Sequence, residues 1–279
     1  MSRAQGVTGA MSLPVMDAVR SLTHDTLEIV DQLTPSEWAA ESACHGWRVQ
    51  DVVAHLAFFL HTIADPRLPL PDNPGGTTET SNDAAVAERA DWPAARVRKY
   101  YADQAVAGAA ALDALQREPL RDKPIRLNEL GTYRLHQLAD AVVFDHLVHL
   151  TCDLLAPYGP LTGTVSIGTA VDPCVDWMAA GLPQMCGASL APLLGEPIEL
   201  RLVDATERTF RLARSQDDPS LVEVSEIGAG GDDLSVDVAT TSTVDFLRWA
   251  TRRSPWRGKT QLEGDRARLA ALLDRIRVI

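Results

Sequence analysis

Apolar residues recur at helical spacing through the first 155 positions. Over residues 13–33 they fall at Val15, Met16, Val19, Leu22, Leu27, Ile29, Val30 and Leu33, which predicts a first helix. Thr34-Pro35-Ser36-Glu37 offers an N-cap, a proline at the first helical position and an acidic first turn, the opening of a short helix through Ala40. A turn at 43–46 leads to a second helix starting near Trp47. Its stripe is Val49, Val52, Val53, Leu56, Phe59, Leu60 and Ile63, with His55 at the border and Pro66 as the stop. Residues 66–82 hold four prolines and two glycines among threonines and serines, the composition of a long loop at an active-site rim. Asn82 or Asp83 is expected to cap the next helical region, and Trp92-Pro93 to break it. The alanine-rich residues 93–117 give a third long helix with Val97, Tyr100, Tyr101, Ala105, Leu112 and Leu115 as core candidates. Gly108 on that stripe costs helix stability and allows close packing. Residues 118–132 read as polar loop with an extended piece at 124–127. A fourth long helix over 133–155 is stopped by Pro157-Tyr158-Gly159-Pro160.

Four long helices joined by loops predict a bundle. Residues 165–185 predict a further helix, interrupted at Pro173 and ending by Pro183, as a bridge. The period then changes. Residues 198–203 (IELRLV), 209–213 (TFRLA) and 221–224 alternate apolar with polar, as strands of a half-exposed antiparallel sheet do. A turn at 228–231, a strand at 234–238, a helix over 241–252 capped by Thr241 or Ser242, a short strand at 258–262 and a last helix over 265–276 capped by Asp265 complete the chain. The expected class is α+β: a helix bundle at 13–160, a bridging helix at 161–190 and a small domain of antiparallel sheet with helices at 191–279.

Composition narrows the partners. The net charge is −12, from 38 acidic and 26 basic residues. That argues against nucleic acid or an anionic membrane, since phosphate binding needs a basic face. No apolar run is long enough to span a bilayer. The N-terminal MSRAQGVTGAMSLP lacks an apolar secretory core and reads as a short leader. Cys44, Cys152, Cys174 and Cys186 form no CxxC pair, so reduced, packed thiols of a cytoplasmic protein are expected. No Walker loop, GxSxG or strand-linked GxGxxG occurs, so nucleotidase, serine-hydrolase and Rossmann readings have no motif.

One constellation carries chemistry. Asp145 and His149 are four apart on the fourth long helix and share a face with Leu138, Val142, Val148 and Cys152. A carboxylate on such a face needs a partner, because a bare buried charge is very costly. Adding His55 from the second helix gives two imidazoles and one carboxylate, a catalytic zinc-type set with an open position, which can equally hold Fe(II). The plainer alternatives are a hydrogen-bonded core histidine and an Asp145–Arg134 ion pair, on a helix that also carries His136 and His146. Asp51, four before His55, either orients that imidazole or serves as a first-turn acid. His61 faces elsewhere, and Trp47 reads as a core anchor.

The stretch GWRVQDVVAHLAFF, with an acidic residue and a histidine four apart on the last bundle helix, resembles the DinB/YfiT-like metal-binding bundles. The whole layout from Leu13, including the closing VDFLRWATRRSPWRGKTQLEGDRARLAALL, resembles the mycothiol-dependent maleylpyruvate isomerase family. That resemblance implies a bundle followed by a sterol-carrier-protein-like α+β domain. It implies His55, Asp145 and His149 as ligands of a divalent ion, zinc foremost, with Asp145 standing where the family has glutamate. The family's helix continues His-x2-Asp; here Cys152 takes that place and Asp153 follows. Cys152 is either a fourth, occluding ligand or packing. The resemblance further implies a small thiol, mycothiol, held as the thiolate nucleophile for an isomerisation or S-transfer on a small electrophile. An arginine among Arg248, Arg252 and Arg253 would hold a substrate carboxylate. The state expected is monomer or homodimer. Two rivals remain at this point: a non-catalytic ligand- or protein-binding relative with a degenerate site, and a metal-dependent hydrolase using water.

Overall fold

The computed structural model describes residues 13–228 and 237–279. The N-terminal leader, most of the expected turn at 228–231, the acidic Gly231-Asp232-Asp233 and the first part of the expected strand at 234–238 lie outside the described residues.

Four long helices form the bundle: α1 (Pro14–Asp31), α3 (Val49–Ala64), α5 (Ala94–Leu115) and α6 (Leu138–Val148), with short α2 (Pro35–Trp38) and α4 (Thr78–Ala87) between them. The capping box at Thr34 and Glu37 opens α2 as expected. In α3, Val49, Val52, Val53, Leu56 and Leu60 are all fully buried. Each full burial of this kind stabilises by about 1.5–3 kcal/mol, so this helix is anchored by packing. Where it meets α5, a Cβ on Gly108 would lie 3.0 Å from the Leu60 Cβ, and the missing side chain is what lets the two helices approach. Helix α6 is apolar on nearly every side, with Leu138, Ala139, Val142, Val143, Phe144 and Leu147 buried. It packs against α1, α3 and α7 (Val171–Leu190), as an all-round apolar helix must.

Three boundaries differ from the sequence reading. Helix α4 starts at Thr78 because Thr77 and Thr80 make a capping box; Asp83 instead accepts from Trp47 Nε1 at 3.0 Å. Tyr133 does not open a helix. It lies in β2 (Gly131–Arg134), paired antiparallel with β1 (Pro124–Leu127), and stacks on Trp177 at 4.5 Å. Helix α7 is neither interrupted at Pro173 nor ended by Pro183. Pro173 is its third residue, where backbone N–H groups lack intrahelical partners anyway. Pro183 is tolerated inside a helix packed against α6 and the sheet, where burial offsets the roughly 3 kcal/mol a mid-helix proline costs.

The second half is a five-stranded sheet in the order β5-β4-β3-β6-β7. Its strands are β3 (Ile198–Val203), β4 (Arg208–Arg214), β5 (Val222–Ile227), β6 (Val238–Ser242) and β7 (Thr260–Glu263). The pairings are antiparallel except β3 with β6, which is parallel, so the sheet is mixed. Helices α8 (Thr243–Ala250) and α9 (Arg266–Leu273) are capped by Ser242 and Asp265. The α+β class holds. Among the described residues no helix is long and apolar enough to cross a membrane.

One half-buried acid away from the site has a testable consequence. Burial, with the Asp176 charge adding, pushes the Asp140 carboxyl up to about 7. The unfolded chain releases that proton near pH 4 and the folded chain only near pH 7, so this group's contribution is lost as pH rises between them. Asp140→Asn is expected to raise Tm at pH 8, by about 2–4 °C per kcal/mol recovered, and to leave it unchanged near pH 3.5. Calorimetry at both pH values checks this; an equal shift at both would refute it.

Candidate metal centre

Helix α3 opens on a box in which Asp51 accepts from the Arg48 backbone N at 2.9 Å and from its guanidinium at 2.8 and 2.9 Å. Asp51 is therefore the first-turn acid and does not orient His55. One turn later His55, 5% exposed, points Nε2 at Asp145 Oδ1, 3.2 Å away. His149 directs Nε2 to the same oxygen at 3.5 Å. The two imidazole centroids are 5.0 Å apart in a T-shaped arrangement. Ligand-type atoms of His55, Asp145 and His149 all lie within 4.8 Å of one another. The aspartate, one methylene shorter than glutamate, reaches both rings.

Two buried polar atoms of this cluster, His55 Nδ1 and Asp145 Oδ2, have no hydrogen-bond partner among the described residues. Unmade bonds at buried sites cost about 1–3 kcal/mol each. Burial raises the Asp145 carboxyl, but the imidazoles of His55 and His149 pull it further the other way, and the net lies well below the usual carboxylate range. Two nitrogens, a carboxylate with a spare oxygen and a converging geometry fit a divalent cation. Asp145 makes no pair with Arg134, whose guanidinium donates to the Asp122 carbonyl.

His146 shows what a purely structural histidine looks like here. It is fully buried, its Nδ1 lies 2.9 Å from the Val142 carbonyl and its Nε2 3.0 Å from the Tyr101 hydroxyl. Burial pushes its pKa down to about 4, so it is a neutral core residue. His61 pairs with the Tyr100 hydroxyl at 2.9 Å, away from the site.

Beyond Val148 the helix widens into a π-helical turn, His149–Leu154. Such turns absorb one extra residue. Asp153, one place later than the family spacing, is thereby brought under His149, with Oδ2 at 2.7 Å from Nδ1. Cys152 is buried among apolar residues and belongs to neither group of converging ligand atoms, so it packs rather than occludes. Trp47 is half-buried against the hydrophobic core, as expected, and also faces the site. Its ring stacks on His149 at 6.2 Å and tilts against His55 at 5.1 Å, walling one side of the site.

The three arginines diverge. Helix α8 ends in a Schellman turn: Arg252 takes a left-handed φ of 64°, its N–H bonding the Trp249 carbonyl and the Arg253 N–H the Arg248 carbonyl. That reversal sends Arg253 into the site, where Nε and Nη2 reach the two Asp153 oxygens at 3.0 and 2.7 Å. Arg252 turns outward to the Asp274 carbonyl at 2.6 Å. Arg248 lies over the Tyr158 ring at 4.7 Å, with a buried Nε that has no partner. Burial raises the Asp153 carboxyl, but the bonds from His149 and Arg253 more than reverse this, and it stays ionised.

Cys44, His149 and Asp153 form a second converging group. The Arg253 guanidinium already supplies its cation. Burial, with the Asp153 charge adding, pushes the Cys44 thiol up to about 12, so at pH 8 it is a neutral thiol and a poor nucleophile. Iodoacetamide is expected to leave Cys44 unmodified in the folded protein and to alkylate it after unfolding; mass spectrometry showing folded-state alkylation at a free-thiol rate would contradict that. An open groove of about 1030 Å³, lined by Arg126, Gln184, Arg214 and Leu221 among others, includes none of these residues.

Two imidazoles and a carboxylate from facing helices form a group that could hold a metal ion in a bundle core. Residues 19–151, just under half of the chain, match the model of the mycothiol maleylpyruvate isomerase N-terminal domain. The fold extends the likeness. A crystal structure of the mycothiol-dependent maleylpyruvate isomerase, and one of a histidine-to-alanine mutant of it, each match with a TM-score of 0.53 at 14% identity, over 89% of this chain and 91% of the other. Among curated proteins no sequence matches.

Asp153 and Trp47 are the site residues that spacing alone passed over. The same four-residue rule that joined Asp145 to His149 also joins His149 to Asp153.

Proposed function

We propose that this protein is a metal- and mycothiol-dependent isomerase or S-transferase acting on a small, electrophilic, carboxylate-bearing substrate. The observation that carries the reading is the convergence of ligand atoms from His55, Asp145 and His149, with Asp145 Oδ2 buried and without a hydrogen-bond partner among the described residues. His55, Asp145 and His149 would hold a divalent ion, zinc foremost, which would supply a Lewis-acidic centre able to keep a small thiol deprotonated near neutral pH. The chain's own residues do the rest. His55 and His149 offer Nε2, and Asp145 contributes the one negative charge. Trp47 covers one flank of both imidazoles and excludes water there. Of the three arginines, Arg253 is engaged by Asp153 and Arg252 by the Asp274 carbonyl, which leaves Arg248 as the candidate for a substrate carboxylate. The thiolate adds to an activated alkene, permits rotation about the saturated bond and leaves again, or it displaces a leaving group. The four free cysteines accord with a cytoplasmic setting.

The test uses zinc-loaded protein with maleylpyruvate as the probe electrophile. Cis–trans conversion that requires mycothiol is the expected result. Turnover without any thiol would point to water as the nucleophile and a hydrolase. Failure to bind mycothiol at millimolar concentration would remove the thiol from the reading.

A further inference from the structure

Asp153 is only 1% exposed and sits where three parts of the chain meet. Its backbone carbonyl accepts from the Ala43 N–H at 2.9 Å, in the turn before Trp47. Its carboxylate lies 2.7 Å from His149 Nδ1, on the π-helical turn. The same carboxylate is gripped by Arg253, thrown back from the end of α8 in the sheet half. Both oxygens are engaged by the guanidinium in the fork geometry that only arginine provides.

We propose that Asp153 and Arg253 are positioning residues for the metal centre, so that the sheet half of the molecule sets the affinity of a site whose ligands all come from the bundle. This rests on the reading of His55, Asp145 and His149 as metal ligands. A carboxylate on Nδ1 keeps the proton on that nitrogen and leaves the Nε2 lone pair facing Asp145 and His55. Such outer carboxylates fix the tautomer and ring angle of a ligating imidazole. Without Arg253, Asp153 would be a buried carboxylate short of its cation, free to rotate off the imidazole. Arg253 is therefore committed to Asp153 and is not the guanidinium left for the substrate.

The experiment is a competition titration of Zn²⁺ against a chromophoric chelator, with the visible spectrum of the Co²⁺-loaded protein as a second readout. It is run on wild type, Asp153→Asn, Arg253→Ala and Arg253→Lys. Wild type is expected to bind one ion. Asp153→Asn should weaken Zn²⁺ binding by about 10–100-fold, the usual cost of losing an outer partner. Arg253→Ala should weaken it about 10-fold, and Arg253→Lys should recover part of the loss. The ligand-field bands of bound Co²⁺ should shift in Asp153→Asn and Arg253→Ala at saturating metal, a change that lowered fold stability alone does not produce. Wild-type affinity and spectrum in both variants would overturn the proposal while leaving the metal reading intact. No stoichiometric ion in wild type would instead remove the metal reading itself. Arg253→Ala that keeps the metal unperturbed and raises only the KM for a carboxylate substrate would return Arg253 to substrate binding.

Discussion

His55→Ala is expected to abolish stoichiometric zinc. The apparent affinity should fall by more than about 100-fold, beyond the roughly 10–100-fold expected of an outer-sphere change. The ring sits on α3, whose neighbours Val52, Val53 and Leu56 are fully buried, so its truncation should leave the helix in place. Asp145 then keeps only the His149 imidazole at 3.5 Å and loses the closer contact at 3.2 Å. Thiol-dependent turnover should fall to background with the metal. Equal metal content in the variant and wild type, by elemental analysis of the dialysed proteins, would exclude His55 as a ligand.

Gly159→Ala should be among the most damaging single substitutions away from the ligands. A Cβ there would lie 2.2 Å from the Leu154 carbonyl carbon and 2.5 Å from the Asp153 carbonyl oxygen. These are backbone atoms that cannot rotate aside. The cost should reach or exceed the upper end of the roughly 1–3 kcal/mol typical of overpacking. The strain falls on the turn that carries His149 and Asp153, so the surviving folded protein should also bind metal more weakly. Urea unfolding with and without Zn²⁺ measures both; a variant as stable as wild type would show that the backbone approach at Gly159 is not tight.

Long periodic segments were legible from sequence because burial alone fixes them. Helices α1, α3 and α5, and strands β3 and β4, follow their hydrophobic period to within a few residues. The failures lie where tertiary contacts outvote local signals. Pro183 normally ends a helix, but here the helix around it is held by packing against α6 and the sheet. Tyr133 reads as helical until its stacking on Trp177 is known. The β3–β6 pair is parallel, which strand periodicity does not encode. At the site, His55, Asp145 and His149 were accessible through helix spacing together with family likeness. Asp153, four residues after His149, was within reach of the same spacing rule, but the family's His-x2-Asp spacing points to Cys152 instead. The separation of Arg253 from Arg252 was hidden because a left-handed residue reverses the chain between them.

The central claim is that His55, Asp145 and His149 hold one divalent ion with a position open to a small thiol. Its most direct test is titration of Co²⁺-loaded protein with mycothiol while recording the near-ultraviolet spectrum. The account predicts a thiolate-to-cobalt charge-transfer band that saturates at one thiol per ion and is absent in His55→Ala. Bound cobalt whose spectrum does not change at millimolar mycothiol would contradict it.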